Sequence, residues 1–179
     1  MKVLIACERS GRVRNAFIAK GHDAWSCDIY WTSGNHIHGD VLNHLNAGWD
    51  LMIAHPPCTH LASSGARWFK EKQAEQRDAL EFVRHLLNAK IPKIALENPI
   101  GVISTYIRKP DQIYDPWMFG YGTVKATCLW LKNLPALKPT NIVRGRYPDT
   151  HYMPKSVNRS YLRSITPIGV AEAMASQWG

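Results

Sequence analysis

The first hundred or so residues carry short apolar runs, each closed by a turn, and this spacing limits the possible folds more than any other feature. Val3-Leu4-Ile5-Ala6-Cys7 and Leu51-Met52-Ile53-Ala54 lack polar alternation, as do residues 92–96, which marks strands buried on both faces. Residues 23–29 read as a further strand of the same sheet. Between the first two strands, Ser10-Gly11 opens a helix with Ser10 as N-cap, which runs to about Lys20 and stops at Gly21. Residues 31–39 read as loop, and 41–45 as one helical turn. Residues 67–88 carry helical periodicity through Phe69, Leu80, Phe82, Val83, Leu86 and Leu87. Strands alternating with helices predict an α/β domain with a mainly parallel sheet covered by helices on both faces.

Beyond Pro110 the alternation ends. Residues 125–131 read as a strand, with 112–114 as a candidate partner. Residues 135–165 are rich in Pro, Arg and polar side chains and read as loop. Residues 167–178 form a closing helix, with Thr166 as N-cap and Pro167 at its first position. No interdomain linker is visible, so residues 1–179 are expected to form one domain.

The formal net charge of +8 points to a polyanionic partner, since Lys and Arg gain by displacing counterions from phosphates. The four cysteines fall in neither CxxC nor Cys/His spacing, so no metal site is expected. No secretory pattern and no apolar run of membrane-spanning length is present, which predicts a cytoplasmic protein with free thiols and no membrane contact.

In an open parallel sheet, ligands bind beyond the carboxyl ends of the strands. Four polar clusters fall there: Glu8-Arg9-Ser10-Gly11, Asp28, His55-Pro56-Pro57-Cys58 and Glu97-Asn98-Pro99. Taken singly, a Cys is more often a small buried hydrophobe, Glu-Asn-Pro a turn, and Asp28 a cap. Their order along the chain is the informative part.

That order resembles the catalytic domain of DNA cytosine-5 methyltransferases, and the whole chain is similar to short phage and prophage proteins of that type. The resemblance covers most of residues 1–105 and, more weakly, residues 164–178. It implies a Rossmann-like S-adenosylmethionine-dependent methyltransferase fold. It implies that Pro56-Pro57-Cys58 carries the nucleophile, and that Glu97-Asn98 stands where the family has Glu-Asn-Val. The catalytic set is then Cys58, Glu97, Asn98 and Pro57. S-adenosylmethionine would be held by Cys7, Glu8, Arg9, Ser10, Gly11, Asp28, Ile29, Asp40, His55 and Pro56, with Asp28 toward the ribose and Asp40 of Gly39-Asp40 toward the adenine. Glu8 is a candidate for the methionine ammonium, and Arg9 or Arg12 for its carboxylate. DNA is the implied partner, with Arg67, Lys125, Arg144, Arg146 and Arg163 as candidate contacts. The compartment would be the bacterial host cytoplasm if the chain is phage-derived.

The chemistry sets further expectations. A thiolate adding to cytosine C6 makes C5 nucleophilic, so Cys58 should titrate below an ordinary thiol, with Arg67 as a candidate activator. Glu97 near N3 should be protonated or share a proton, and burial should raise its pKa. The sequence departs from the family in two places. The turn at residues 7–11 holds one glycine and two charges where the family is Gly-rich. Only the irregular, basic segment 135–165 stands in place of a large target-recognition domain. Two alternatives stay open: an enzyme that modifies a free pyrimidine nucleotide, and a non-catalytic nucleic-acid-binding protein on a methyltransferase fold. Amino-methyltransferase chemistry is less favoured, because Cys58 replaces the aromatic residue of an Asp-Pro-Pro-Tyr motif.

Overall fold

The computed structural model describes residues 1–148 and 152–179. Seven strands form one sheet: β1 (Lys2–Ala6), β2 (Asp23–Asp28), β3 (His36–His38), β4 (Leu51–Ala54), β5 (Lys93–Pro99), β6 (Gln112–Tyr114) and β7 (Thr127–Lys132). Their spatial order is β3-β2-β1-β4-β5-β7-β6. The first five in that order pair in parallel, while β7 runs antiparallel to both β5 and β6. The order reverses direction at β1, which leaves a crevice between the ends of β1 and β4, where α/β sheets bind ligands.

The apolar runs of the sequence lie at the centre of the sheet because both of their faces are covered. Val3, Ile5, Leu51, Ile53 and Ala95 point to one side, where they meet Phe17 of α1 (Arg12–Ala19) and Val170, Met174 and Trp178 of α5 (Ile168–Trp178). Leu4, Ala6, Met52, Ala54, Ile94 and Leu96 point to the other side, against Leu80, Val83 and Leu86 of α2 (Gln73–Leu87) and Ile103 of the short α3 (Ile103–Tyr106). Each fully buried aliphatic side chain contributes about 1.5–3 kcal/mol. Three buried indoles also satisfy their N–H groups: Trp49 donates to His44 O at 2.8 Å, Trp130 to Arg108 O at 2.8 Å and Trp178 to Pro135 O at 2.9 Å. No described helix is long and apolar enough to cross a membrane.

Several boundaries differ from the sequence reading. The helix expected over residues 67–88 is a 3-10 turn at Ser63–Trp68 followed by the separate helix α2. The polar stretch Lys70-Glu71-Lys72 has no apolar side chain to pack, and the buried spacing begins only at Gln76. The loop expected at 31–39 contains β3, an edge strand of His-Ile-His whose pairing with β2, rather than its composition, makes it a strand. Residues 135–165 contain α4 (Arg159–Ser164), which buries none of its residues and so left no apolar period to read. Residues 149–151 of that segment lie outside the described residues. At the start of α1 the cap position belongs to Gly11, at φ 70°, with Ser10 Oγ accepting from Arg12 N at 3.3 Å. At α5 it belongs to Pro167 rather than Thr166.

Gly169 lies in the first turn of α5, where an added Cβ would overlap the carbonyl oxygen of Phe119, a buried residue. Backbone cannot yield as a flexible side chain does, so Gly169→Ala should cost about 2 kcal/mol or more. Denaturant unfolding checks this; a change within about 0.5 kcal/mol would show that the packing of α5 on residue 119 is looser than described.

Candidate active site

β4 ends because Pro56 and Pro57 have no N–H to donate. His55 N makes the last contact with β1, donating to Ala6 O at 2.9 Å. The chain then turns at Cys58, whose carbonyl accepts from Leu61 N at 3.0 Å and Ala62 N at 2.9 Å. Ser63 N donates to Ile100 O at 3.0 Å and Val102 N to Leu61 O at 2.9 Å, so the Cys58 turn is bound to the segment leaving β5. Gly101 is required there, since a Cβ would overlap the Leu61 carbonyl.

The register of β4 and β5 pairs Ala54 with Leu96. The next residue on each strand is therefore also a neighbour, and His55 Nδ1 donates to Glu97 Oε2 at 2.8 Å with both side chains nearly buried. Asn98, on the opposite face, donates through Nδ2 to Pro56 O at 2.9 Å and fixes the Pro-Pro turn from behind. Two buried polar atoms here have no partner among the described residues: His55 Nε2 and Asn98 Oδ1. Native proteins rarely leave such atoms unpaired, and when they do the site commonly awaits a ligand or water.

Burial pushes the Glu97 carboxyl up, but the hydrogen bond and charge of His55, aided by Lys125, outweigh it and hold Glu97 below the ordinary value. Burial likewise works against charged His55, and the hydrogen bond and charge of Glu97, with Glu8 adding, outweigh it, so the imidazole is raised. The pair thus holds one proton between imidazole and carboxylate. His55 contributes stability at low pH that is lost as pH rises through its raised value. Glu97 contributes stability at higher pH that is lost as pH falls through its lowered one.

The sequence expectation for Glu97 ran the other way, because the sequence did not reveal a histidine partner. The expectation for Cys58 is also reversed. The residue is exposed, yet partial burial raises the thiol, with Glu97 adding to the rise, while Lys125 and Arg163 pull it down. Arg67 stands on the 3-10 turn beyond the Cys58 loop.

The remaining sequence candidates divide between cleft and surface. Cys7 takes a left-handed conformation at φ 58° and Gly11 takes another at φ 70°, so two such residues bend the chain from β1 into α1. Glu8 is buried and already engaged. Its Oε1 accepts from Val13 N at 2.7 Å and Ser10 Oγ at 3.1 Å, and its Oε2 from Arg14 N at 3.2 Å. A carboxylate at a helix N-terminus is well placed to stabilise it. Arg9 lies between Tyr30 and Tyr161, at 5.3 and 4.9 Å from their ring centroids. Asp28 accepts from Tyr30 N through Oδ1 at 2.8 Å, and Oδ2 has no partner among the described residues; Ile29 beside it is exposed. Asp40 caps the turn at Val41–His44 by accepting from Leu42 N at 3.0 Å. Pro57 is exposed beside Cys58. Arg144 is exposed, and Arg146 stacks on Trp117 at 3.9 Å.

Sequence reasoning missed two groups. The His55–Glu97 pair is legible only once β4 and β5 are known to be neighbours. Arg14 is buried and donates to Ser26 Oγ at 3.0 Å and Ser33 O at 2.9 Å, tying α1 to the loop after β2. Nothing in the sequence distinguishes it from a surface arginine. Among the described residues no group of His, Cys, Asp and Glu is arranged to hold a metal ion.

No family model matches the sequence, and no curated protein does. The structure is similar to a solved prophage-encoded protein of E. coli described as a DNA modification methyltransferase, with a TM-score of 0.51 and 15% sequence identity. The similarity covers 87% of this chain and 55% of that one, so this chain spans little more than half of that protein's length. Likeness at this identity defines the fold, which is the Rossmann-like methyltransferase fold.

Cys58 is the exposed thiol of the chain; Cys27 and Cys128 are buried and Cys7 is partly so. Its alkylation by iodoacetamide should rise with a midpoint above the ~8.5 of an ordinary thiol. Lys125→Gln should move the midpoint further up, because it removes a charge that favours the thiolate. A wild-type midpoint near 7 would contradict this electrostatic description.

Proposed function

We propose that the chain is a DNA (cytosine-5)-methyltransferase-like enzyme that transfers a methyl group from S-adenosylmethionine to cytosine C5 through a covalent adduct at Cys58. The observation that carries this reading is the placement of an exposed cysteine turn beside a buried, proton-sharing His55–Glu97 pair at the ends of adjacent parallel strands. The prophage protein of similar fold is described as a DNA modification methyltransferase, and the +8 charge of this chain suits a nucleic-acid partner.

Residues in the cleft fit the cofactor. Asp28 offers an uncommitted carboxylate oxygen at the end of β2 for ribose hydroxyls, and Ile29 an exposed apolar side chain for a purine face. When bound, S-adenosylmethionine supplies an electrophilic methyl group. Every other step falls to the protein. Cys58 sulfur bonds to C6, and the electrons of the C5–C6 double bond move toward the ring carbonyl and N3. Glu97, a carboxylate at rest, takes the proton held on His55 Nδ1 and passes it to N3, so negative charge does not accumulate on the base. Lys125 and Arg163 supply the positive field in which the thiolate forms. After C5 has taken the methyl group, the C5 proton passes to solvent, its C–H electrons re-form the C5–C6 double bond and expel the thiolate from C6, and N3 returns its proton through Glu97 to His55 Nδ1. A cytosine within a duplex must first leave the stack, at a cost of a few kcal/mol.

The short segment between β7 and α5 favours a second reading, in which the pyrimidine belongs to a free nucleotide and no target sequence is read. Transfer of tritium from methyl-labelled S-adenosylmethionine separates the readings when double-stranded DNA, single-stranded DNA and dCMP are offered in parallel. The expected product is 5-methylcytosine, with transfer reduced at least ~10³-fold by Cys58→Ser and roughly 10²–10⁴-fold by Glu97→Gln. Turnover should fall as pH rises through the raised His55 value, since the shared proton is then lost. No label from folded protein on any substrate would exclude the reaction and favour a binding protein on this fold.

In Glu97→Gln the carboxylate charge that raises His55 is gone, and burial and Lys125, both of which lower it, are opposed only by the smaller effect of Glu8. Its imidazole should therefore titrate below the ordinary ~6.5, which NMR of the histidine ring checks. An unchanged titration would mean that the two side chains are not coupled.

A further inference from the structure

Next to the Cys58 site lies a cavity of about 130 Å³ whose lining includes Arg12, Lys125 and Arg163 together with Tyr121, Thr123 and Met153. Its three charged residues are all cations, and no carboxylate lines it. None of the three forms an ion pair with a carboxylate among the described residues. Instead, Arg12 Nη1 donates to Thr166 O at 3.3 Å and Lys125 Nζ to Arg163 O at 3.0 Å. These neutral carbonyls aim the groups without cancelling their charge. The cations come from three separate elements: Arg12 begins α1, Lys125 precedes β7, and Arg163 lies in α4. Converging like charges repel one another, and an anion between them removes that cost. Guanidinium groups match phosphate oxygens in paired geometry, and an ammonium adds a point charge.

We propose that this cavity is a phosphate-binding pocket, and that the phosphate it takes is the one attached to the pyrimidine substrate. The second half of this statement rests on the proposed methyl-transfer reading; the first half does not. Lys125 links the two sites, since it lines the cavity while its charge also acts on Cys58, Glu97 and His55. Arg163 lines the cavity and acts on Cys58 as well. A bound phosphate would hold the nucleotide by its backbone while the base meets the thiol. The source is either the monophosphate of a free nucleotide or a phosphodiester of a strand.

Calorimetric titration separates these sources and is independent of turnover. Wild-type protein, Arg12→Gln and Arg163→Gln are titrated with deoxycytidine, dCMP, a cytosine-containing single-stranded oligonucleotide and S-adenosylmethionine. Arg12→Lys and Arg163→Lys serve as charge-keeping controls, and circular dichroism verifies folding. For a nucleotide source, dCMP binds wild type at least ~10-fold more tightly than deoxycytidine does, and either Gln variant closes most of that gap. For a strand source, the oligonucleotide weakens by a similar factor in the Gln variants, and the slope of log affinity against log salt falls by about one. Equal binding of dCMP and deoxycytidine, with oligonucleotide affinity unchanged by the variants, overturns the pocket. Loss of S-adenosylmethionine binding alone also overturns it, because the cations would then serve the cofactor carboxylate. Phosphate-dependent binding without any methyl transfer would instead sink the proposed reaction and leave the pocket standing.

Discussion

The hydrogen bond from His55 Nδ1 to Glu97 Oε2 joins the carboxyl ends of β4 and β5, and the remaining groups of the cleft are arranged around it. It forms because two parallel strands in register bring their next residues side by side. It survives burial because each partner neutralises the other; either group alone in that position would bear an uncompensated desolvation cost. Lys125 acts on both members of the pair through its charge, and Glu8 acts on His55. Cys58, a few residues past His55, is held by backbone bonds to the segment leaving β5. One pairing therefore fixes both the proton store and the position of the thiol.

Much of this fold was legible in the sequence because burial on both faces leaves a strong mark. Continuous apolar runs identified β1, β4 and β5, and Pro56-Pro57 marked where β4 stops. Elements whose existence depends on tertiary contact were not legible. β3 is three polar-flanked residues that pair with β2, and α4 buries none of its residues. Helix α2 was placed too early because Phe69, although apolar, belongs to the preceding turn.

The candidate site divides in the same way. Cys58, Glu97 and Asn98 could be named because their residue types, in that order at strand ends, suit one chemistry. Their protonation could not be read, since it depends on neighbours supplied by the fold. His55 stood in the sequence as a cofactor contact, and in the structure it faces Glu97 and reverses the direction of that carboxyl's pKa. Arg12, Lys125 and Arg163 are far apart along the chain, and only α1, the approach to β7 and α4 bring them to one cavity. Glu8 illustrates the converse, a charge at a strand end whose visible bonds all serve the start of α1.

Covalent catalysis by Cys58 predicts a trappable adduct between its sulfur and the pyrimidine. A substrate carrying 5-fluorocytosine, as a short oligonucleotide and as the free nucleotide, tests it with S-adenosylmethionine present. Fluorine at C5 cannot leave as a proton does, so the adduct formed at C6 has no route to release after methyl transfer. Intact-protein and peptide mass spectrometry should then find the methylated fluoropyrimidine attached at Cys58, and no adduct in Cys58→Ser. Methylated product from the unfluorinated substrate with no trapped adduct at Cys58, or an equal adduct in Cys58→Ser, would contradict the account.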